Sequence, residues 1–557
     1  MLSEEKAPTE GSIDEQQDGM EKIPDNENTS RWKDVFKINR TMLKYKIFYL
    51  FFIGAGASII TFLPLQMKQL GLSPSRIGLA SSVRPFTSAM STAIIGVASD
   101  KLGYRRAWMI GLLMAMLGSG VALSLLRSPE LAPCEGINDT NSTLTKRSLI
   151  SGEYNYRKVG IERRDVTSST NTSKHTGAKY NEEGNINSKQ PQDLYEDRSW
   201  QYDPHGVYRV FIEVLVIGSI FDMTMSPVYA IADASVMVAL TRDGNDVSEY
   251  GGTRGWGNIA WDLGGFLTGF LLQFSRHNII QCGVSLTNAN YVIVLIPFGL
   301  LMIGSLASLP SLRLSNSDYN DTGTQHAQWK HLKILLTPHY FIMFTAILFF
   351  GICNGAVWGF LFWHLENLGA THGLLSFVSL FQAASEIPAG YASSLSIKYL
   401  GYWNSLNVGF LTYTVRFLWI YITKNPWWIV PTEILNGFAF AQTWNVLISY
   451  MSNAVPANLF VTVCGFCSAL YFGIGVALGY LTTGWLVEHF GGAATFGYYG
   501  IVSFILSLIF AVLIRIVIVP TVTFDDATSD TDGTDKISPV MPVKSKTGGE
   551  KIVLLSK

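Results

Sequence analysis

The sequence has few charged residues and few cysteines for its length. Only 15% of its 557 residues are Asp, Glu, Lys or Arg, 48% are hydrophobic, and the formal net charge is −1. The balanced charge excludes the basic field that attracts nucleic acid. Five cysteines are too few and too scattered for a disulfide scaffold or a zinc cluster. A chain this long and this apolar is typical of a multi-pass membrane protein.

The sequence also lacks the common signatures of catalysis. It contains no nucleotide-binding loop, catalytic triad or metal-ligand spacing, so we expect neither an enzyme nor a cofactor. Cys464 and Cys467 have the CxxC spacing inside an apolar segment, where two small core residues are favoured over a redox or metal site. Residues 1 to 30 are polar and acid-rich, which predicts no cleavable signal peptide.

Twelve apolar stretches are long enough to cross ~30 Å of hydrocarbon as helices, which takes about 20 residues. We number them as spans one to twelve, near residues 46–69, 77–99, 107–126, 207–238, 255–274, 290–310, 340–364, 373–395, 403–422, 427–451, 460–487 and 495–518. We therefore predict an all-α membrane protein of twelve transmembrane helices in two pseudo-symmetric six-helix bundles. Secondary transporters commonly have this arrangement.

Polar segments divide this prediction into regions. They are a disordered cytoplasmic tail at 1–43, a first bundle at 44–310, a cytoplasmic linker at 311–338, a second bundle at 339–518 and a disordered cytoplasmic tail at 519–557. Lysine and arginine are concentrated before span one and in the loops after the even-numbered spans, which places both termini in the cytoplasm. We expect the plasma membrane, with an endolysosomal membrane as the alternative.

The longest loop, residues 128–205 between spans three and four, lies outside the cytoplasm in this topology. It contains glycosylation sequons, at Asn138, Asn141 and Asn171. Cys134 in this loop and Cys282 in the next outer loop share an oxidising compartment, so a disulfide between them is a hypothesis. The loop is also the candidate surface for an extracellular protein partner.

Ionisable residues inside apolar spans cost a few kcal/mol each unless they are paired or face a cavity, so each is a candidate for function. They are Arg84, Glu213, Asp222, Asp233, Asp262, Glu386, Arg416 and Glu433. Arg416 and Glu433 lie at equal depth on adjacent spans, which predicts an ion pair that either locks the helix hairpin or opens in each cycle. Glu386 suits a proton or cation site, the alternative being a pair with Arg84 or another core group.

Span five begins with a polar helical face. The spacing places Arg254, Asn258 and Trp261 on one side, with Trp261 ~10 Å deeper than Arg254. Asp233, at the inner end of span four, can approach Arg254, whose alternative role is a positively charged anchor at the membrane surface. We predict a solute-binding site that consists of Arg254, Trp261, Asp262, Asp233, Asn258 and Asp222.

Two glycine patterns also stand out. Span eleven contains Gly465, Gly473, Gly475, Gly479 and Gly484, a small-residue face that allows close helix packing. The run between spans two and three predicts a conformational latch, in which a glycine permits helix approach, a carboxylate pairs with a cation or a helix N-terminus, and cations anchor at the inner surface. Its residues are Gly96, Asp100, Lys101, Gly103, Arg105 and Arg106.

The latch run resembles the signature loop of the major facilitator superfamily at each defining position, and Lys398-Tyr-Leu-Gly401 resembles a degenerate second copy. Other segments resemble the major facilitator superfamily associated domain family, of the domain-containing protein 6 type. They are Phe62-Leu-Pro, Leu70 to Gly78, Val83-Arg84-Pro-Phe86, Tyr250 to Gly257 and Asn425 to Glu433. This resemblance implies the fold of a secondary transporter.

That branch is distantly similar to the lactose permease type of oligosaccharide/proton symporter. The similarity implies that Arg254 binds a sugar and that Trp261 stacks on it. Arg416 stands at the position of the proton-coupling arginine, but Asn436 and Ala439 replace the histidine and the glutamate of span ten. We therefore assign any ion coupling to Glu386, Arg416, Glu433 and Arg84.

Together these features predict a secondary active transporter of a small polar solute, with protons as the candidate coupling ion. A sugar-like or nucleoside-like solute is favoured, because an indole face beside an ion-paired arginine suits a ring with C–H and hydroxyl faces. The alternative is a transporter-like cell-surface receptor or adhesion protein that acts through the 128–205 loop without transport.

Overall fold

The computed structural model describes residues 40–133, 200–242, 249–281, 284–314, 338–454 and 457–518. These residues form twelve helical segments, labelled α1 to α12. The first half contains α1 (Arg40–Ile60 and Leu63–Gln69), α2 (Pro74–Leu102), α3 (Arg105–Ser124), α4 (Pro204–Arg242), α5 (Glu249–Phe274) and α6 (Leu295–Ser308).

The second half has the same number of segments among the described residues. It contains α7 (Pro338–Asn367), α8 and α9 (together His372–Ile422, divided at Gly401), α10 (Pro426–Glu433, Ile434–Gly437, Phe438–Gln442 and Thr443–Ala454), α11 (Ala457–Ser468, Ala469–Gly475 and Val476–Phe490) and α12 (Gly492–Leu513). Each segment coincides with one predicted span, which confirms the predicted fold class.

Seven of these segments, counted within the described ranges, are long and apolar enough to cross a membrane by length and composition alone. They are α1, α3, α4, α6, α7, α11 and α12. Each of the remaining segments contains an ionisable residue: Arg84 in α2, Asp262 in α5, Glu386 in α8, Arg416 in α9 and Glu433 in α10. A helix with such residues needs a polar neighbour on at least one side.

The two halves repeat the same turns. Gly71 and Gly369 follow α1 and α7 with φ of 86° and 89°, and Gly103 and Gly401 follow α2 and α8 with φ of 72° and 75°. The members of each pair are 298 residues apart in the sequence. Glycine reaches this left-handed backbone without the steric cost of a side chain, so each turn ends its helix sharply. The equal spacing shows directly that the halves are structural repeats.

Close backbone contacts hold α7 against α11 inside the second half. An added Cβ at Gly351 would lie 2.5 Å from the Tyr471 carbonyl oxygen, and one at Gly475 would lie 2.8 Å from the Gly351 Cα. Gly355 and Gly479 make a similar contact one turn further along. The predicted small-residue face of span eleven therefore packs on α7, although a Cβ at Gly465 or Gly473 would meet no atom within 4 Å.

Two short antiparallel sheets, which the sequence did not predict, lie in loops of the first half. Leu131–Pro133 pairs with Trp200–Tyr202, so the two ends of the long 128–205 loop lie side by side. Arg276–Gln281 pairs with Val284–Ala289 between α5 and α6. The predicted glycosylation and disulfide residues lie outside the described residues, namely Asn138, Asn141, Asn171, Cys134 and Cys282.

Candidate functional site

A cavity of about 680 Å³ lies between the two halves. This volume is within the range of pockets that bind small molecules. Most of the site residues predicted from the sequence line it, namely Arg84, Asp222, Arg254, Asn258, Trp261, Asp262 and Glu386. Helices from both halves contribute, so a solute in this cavity would contact both repeats.

Polar contacts close one end of the cavity, beside the turns at Gly71 and Gly369. The Lys68 ammonium of α1 lies 2.5 Å from the Glu366 carboxylate and 2.7 Å from the Asn367 side-chain oxygen of α7. The Ser75 amide donates to Glu488 at 2.8 Å, and the Gly373 amide donates to Gln273 at 2.9 Å. Each of these contacts joins the first half to the second.

Apolar packing seals the same end. A Cβ at Gly78 in α2 would lie 2.5 Å from the Tyr480 carbonyl oxygen of α11, and one at Gly484 would lie 2.6 Å from the Pro74 carbonyl oxygen. The Phe62 ring contacts the Phe362 ring with centroids 5.4 Å apart. Small residues let the helix backbones meet, and aromatic rings fill the space between them.

The cavity is open at the other end, beside the turns at Gly103 and Gly401. Among the described residues, the ion pair that joins the halves and the hydrogen bonds around it lie at the closed end, and a Cβ added at Gly96 would meet no described atom within 4 Å. The close helix approach expected at Gly96 is therefore not made in this structure. Arg106 donates instead to the Leu312 carbonyl oxygen of its own half at 3.2 Å. Nothing in the sequence indicates which end is open.

Arg254 and Asp233 form an ion pair, as the sequence predicts. The Tyr49 hydroxyl donates to the same carboxylate at 2.5 Å, and the Arg254 guanidinium lies 5.4 Å from the centroid of the Tyr229 ring. Three helices of the first half thus position Arg254. Its side chain is 41% exposed, which leaves part of the guanidinium accessible from the cavity.

Arg84 and Asp222 form a second ion pair at 2.8 Å between α2 and α4. Arg84 therefore does not pair with Glu386, and that part of the alternative for Glu386 is wrong. The sequence identified both residues of this pair but did not pair them, because the contact depends on how the two helices are rotated. Both residues line the cavity, so the pair supplies polar groups with little net charge.

Asn258 and Asp262 of α5 face Glu386 of α8 across the boundary between the halves. The Asn258 side chain lies against the Glu386 carboxyl group, and Asp262 is close enough to Glu386 for their charges to interact. Asp262 is 7% exposed, whereas Glu386 is half-buried. This part of the cavity is acidic.

Arg416 and Glu433 form the predicted ion pair at 2.6 Å, and both side chains are 0% exposed. The pair lies behind the cavity wall. Gln382 donates to Glu433 at 2.7 Å, and Arg416 donates to Asn436 at 2.8 Å. Gln382 and Asn436 also line the cavity, so they connect the buried pair to the solute space.

The sequence missed Gln382 and the aromatic part of the cavity wall. Gln382 lies one turn before Glu386 on the same helical face, a pattern that could have identified it. The rings of Trp358, Phe440 and Phe472 line the cavity and pack on one another, with centroids 6.1 to 6.3 Å apart. These rings carry no sequence signal, because Phe, Trp and Tyr make up 13% of the chain and nothing in the sequence distinguishes these three.

The family model described as the MFS_1 like family matches residues 42–498, which is most of the chain. This chain belongs to the MFS_1 like family. Among curated proteins, it is 21% identical over 457 residues to the major facilitator superfamily domain-containing protein 6-like of Danio rerio, covering 79% of this chain and 81% of that one. It is 22% identical over 314 residues to the maltose permease of Geobacillus stearothermophilus, covering 56% and 73% respectively.

Two solved transporter structures have the same fold as this chain. The nucleoside transporter NupG superimposes with a TM-score of 0.57 at 13% identity, covering 86% of this chain and 100% of the transporter. A D-xylose-proton symporter superimposes with a TM-score of 0.53 at 14% identity, covering 84% and 96% respectively. The MFS_1 like chain described here therefore has the family and fold of multi-pass membrane transporters.

Proposed function

We propose that this MFS_1 like protein is a secondary active transporter that moves a small polar solute, sugar-like or nucleoside-like, by alternating access. One observation carries the proposal: a cavity of about 680 Å³ between the repeats is closed at one end by contacts between the halves and open at the other. The comparisons add support, because relatives and structural neighbours are named as permeases, symporters and nucleoside transporters.

In this proposal the cavity holds the solute in the middle of the membrane. Arg254 donates charge-assisted hydrogen bonds to solute hydroxyl or carbonyl oxygens, and Trp261 offers a ring face one to two turns deeper. The open end is cytoplasmic in the predicted topology, so the solute exchanges with the cytoplasm in this conformation. Breaking the contacts around Lys68 and Glu366 while the open end closes would expose the cavity to the outside.

We further propose that protons couple to transport through Glu386, which lines the cavity and contacts α5 of the other half. A carboxyl group at this boundary changes its surroundings whenever the halves move. Its proton affinity therefore differs between the two states, which is the requirement for coupling. The Arg416–Glu433 pair supports Glu386 indirectly, because Gln382 holds Glu433 from the same face of α8.

The Arg254→Ala variant tests the solute site by uptake into proteoliposomes with panels of labelled sugars and nucleosides. Losing hydrogen bonds from a charged group costs about 1.5–3 kcal/mol, so we expect uptake of the transported solute to fall about ten- to a hundredfold. Arg242→Ala is the matched control, because Arg242 is an exposed cation at the same end of α4. If the Arg254→Ala variant takes up the solute as fast as the wild type does, Arg254 does not bind the solute.

The Glu386→Gln variant tests coupling in the same vesicles. We expect wild-type uptake to change when a proton gradient is imposed, and uptake by the variant to be insensitive to that gradient. Glu213→Gln, on the exposed face of α4, should respond as the wild type does. If no panel yields uptake while deletion of the 128–205 loop abolishes binding of an extracellular protein, the receptor alternative replaces transport.

A further inference from the structure

Within the part of the chain that the structure describes, the cavity contains two carboxylates without a cationic partner. Among the described residues, the ion pairs of the protein are Lys68–Glu366, Arg84–Asp222, Arg209–Glu213, Arg254–Asp233 and Arg416–Glu433. Asp262 and Glu386 take part in none of these, and both line the cavity. Because Arg84 and Arg254 are already neutralised, the acidic pair sets the net charge of the cavity. A buried carboxylate is costly without a cation nearby.

Two buried hydroxyl groups beside Asp262 lack hydrogen-bond partners. Ser379 Oγ and Thr61 Oγ1 both line the cavity, and neither has a partner within the part of the chain that the structure describes. They lie together, because a Cβ at Gly265 would be 3.2 Å from Ser379 Oγ and 3.5 Å from Thr61 Oγ1. Gly265 is about one turn from Asp262 on α5. The region thus offers carboxylate and hydroxyl oxygens, all of which can accept hydrogen bonds.

An aromatic corner faces the cavity from the second half. The Trp358 and Phe472 rings are stacked at 12° with centroids 6.3 Å apart, and the Phe440 ring meets Phe472 edge-on at 77°. Such ring faces attract organic cations and pack against the apolar body of a ligand. A cavity of about 680 Å³ has room for such a body, far more than a bare metal ion needs.

We propose that the transported solute carries a protonated amine, whose ammonium group is held by Asp262 and Glu386 and whose body packs on the aromatic corner of Trp358, Phe440 and Phe472. The three N–H groups of an ammonium match the surplus of acceptors, and its charge supplies the missing partner of the carboxylates. This inference rests on the proposed function, since it names the class of solute that the same cavity takes. It narrows a sugar-like or nucleoside-like solute to an amine-bearing one.

The test measures the charge selectivity of the cavity in purified protein and needs no transport. A cysteine is introduced at Ala469, an exposed position of the cavity wall, in a protein whose five native cysteines are serine. The introduced cysteine reacts with a cationic reagent, trimethylammonium-ethyl methanethiosulfonate, and with an anionic one, sulfonatoethyl methanethiosulfonate. Each rate is divided by the rate at which the same reagent reacts with a small thiol in solution, which corrects for its intrinsic reactivity. We expect a preference of about tenfold for the cationic reagent, because the two carboxylates would give the cavity a net negative charge, and charges act strongly at protein-like dielectric.

Neutralising either carboxylate should reduce this preference. We expect Asp262→Asn and Glu386→Gln each to lower it about threefold, since each removes one of the two charges. Glu213→Gln is the matched control: it removes a carboxylate from an exposed site on α4 and should leave the preference unchanged. If Asp262→Asn does not fold, Glu386→Gln gives the same comparison at a half-buried position.

Protection of the Ala469→Cys variant from labelling identifies the occupant. D-glucosamine, N-acetyl-D-glucosamine and D-glucose share a ring, but only D-glucosamine is a cation, and ethanolamine supplies a protonated amine without a sugar. We expect at least one of the two cations to slow labelling more than the neutral sugars and more than equimolar sodium chloride. Equal protection by sodium would assign an alkali-cation site and overturn the proposal, as would equal protection by neutral sugars or no protection by either cation.

The outcomes separate this inference from the proposed function. If the cavity does not prefer the cationic reagent, the solute does not carry an amine. Arg254-dependent uptake of a neutral solute into proteoliposomes would then still support the proposed transport function. A cavity with cationic preference and amine protection supports an amine as the ligand of the cavity, even where no uptake is measured and only the transport part of the proposal is rejected.

Discussion

Replacing Arg416 by leucine is expected to destabilise the protein by about 3–5 kcal/mol, because the change leaves Glu433 charged and unpaired in a fully buried site. The loss extends beyond one contact. Arg416 also donates to Asn436, so an amide of the cavity wall loses a donor, and among the described residues Glu433 retains only its hydrogen bond from Gln382. Thermal and denaturant unfolding of the purified protein in one detergent, compared with the wild type, measures the effect.

Two controls separate the buried charge from the loss of packing. The double variant Arg416→Leu with Glu433→Leu leaves neither charge behind, so it should be less destabilised than Arg416→Leu alone. Arg209→Ala breaks an exposed pair in which Glu213 lies 3.5 Å away, and pairs of this kind contribute only about 0–1 kcal/mol. A double variant as unstable as the two single costs added together would show that the charges do not interact.

Gly484→Val should shift the conformational equilibrium toward a state that is open at the end now closed. An added Cβ at Gly484 would lie 2.6 Å from the Pro74 carbonyl oxygen and 3.0 Å from the Gly78 Cα, both in the other half. Overpacking of this kind costs about 1–3 kcal/mol, which corresponds to a shift of about five- to a hundredfold in the equilibrium. Separation of the halves relieves these two backbone contacts without unfolding either half, and leaves the contact with the Phe360 ring tip, at 3.2 Å within the same half.

Gly479→Val is the matched control on the same helix. Its side chain would meet Ile352 and Gly355 of α7, inside the second half, so movement between the halves cannot relieve the clash. We expect this variant to lose stability and to keep the wild-type conformation. Spin labels on cysteines at Arg76 and Lys424, exposed positions of the two halves, report the distance across the closed end. Identical distance distributions for both glycine variants would contradict the mechanism.

Much of the fold and some of the site followed from the sequence because the membrane restricts the possibilities. An apolar stretch of sufficient length has to be a helix, and a charge inside it has few possible partners. Equal depth was therefore enough to pair Arg416 with Glu433, and proximity in the chain was enough to pair Asp233 with Arg254.

The remaining features depend on helix rotation and on the state of the cycle. The Arg84–Asp222 pair requires particular faces of α2 and α4 to meet, and hydropathy does not specify those faces. Gln382 and Asn436 are neutral, so no charge distinguished them as links to the buried pair. The open space beside Gly96 depends on how the two halves sit relative to each other, and hydropathy does not specify that arrangement.

The contact between Lys68 and Glu366 joins equivalent positions of the two repeats, which carry opposite charges. These residues are 298 residues apart, the same interval that separates the matching turns at Gly71 and Gly369, so they occupy equivalent positions in the two repeats. They meet where the pseudo-twofold axis crosses the closed end. Two identical repeats would bring like charges together there and repel each other. This ion pair is therefore available only where the two halves differ in sequence, and not to a symmetric dimer of either half.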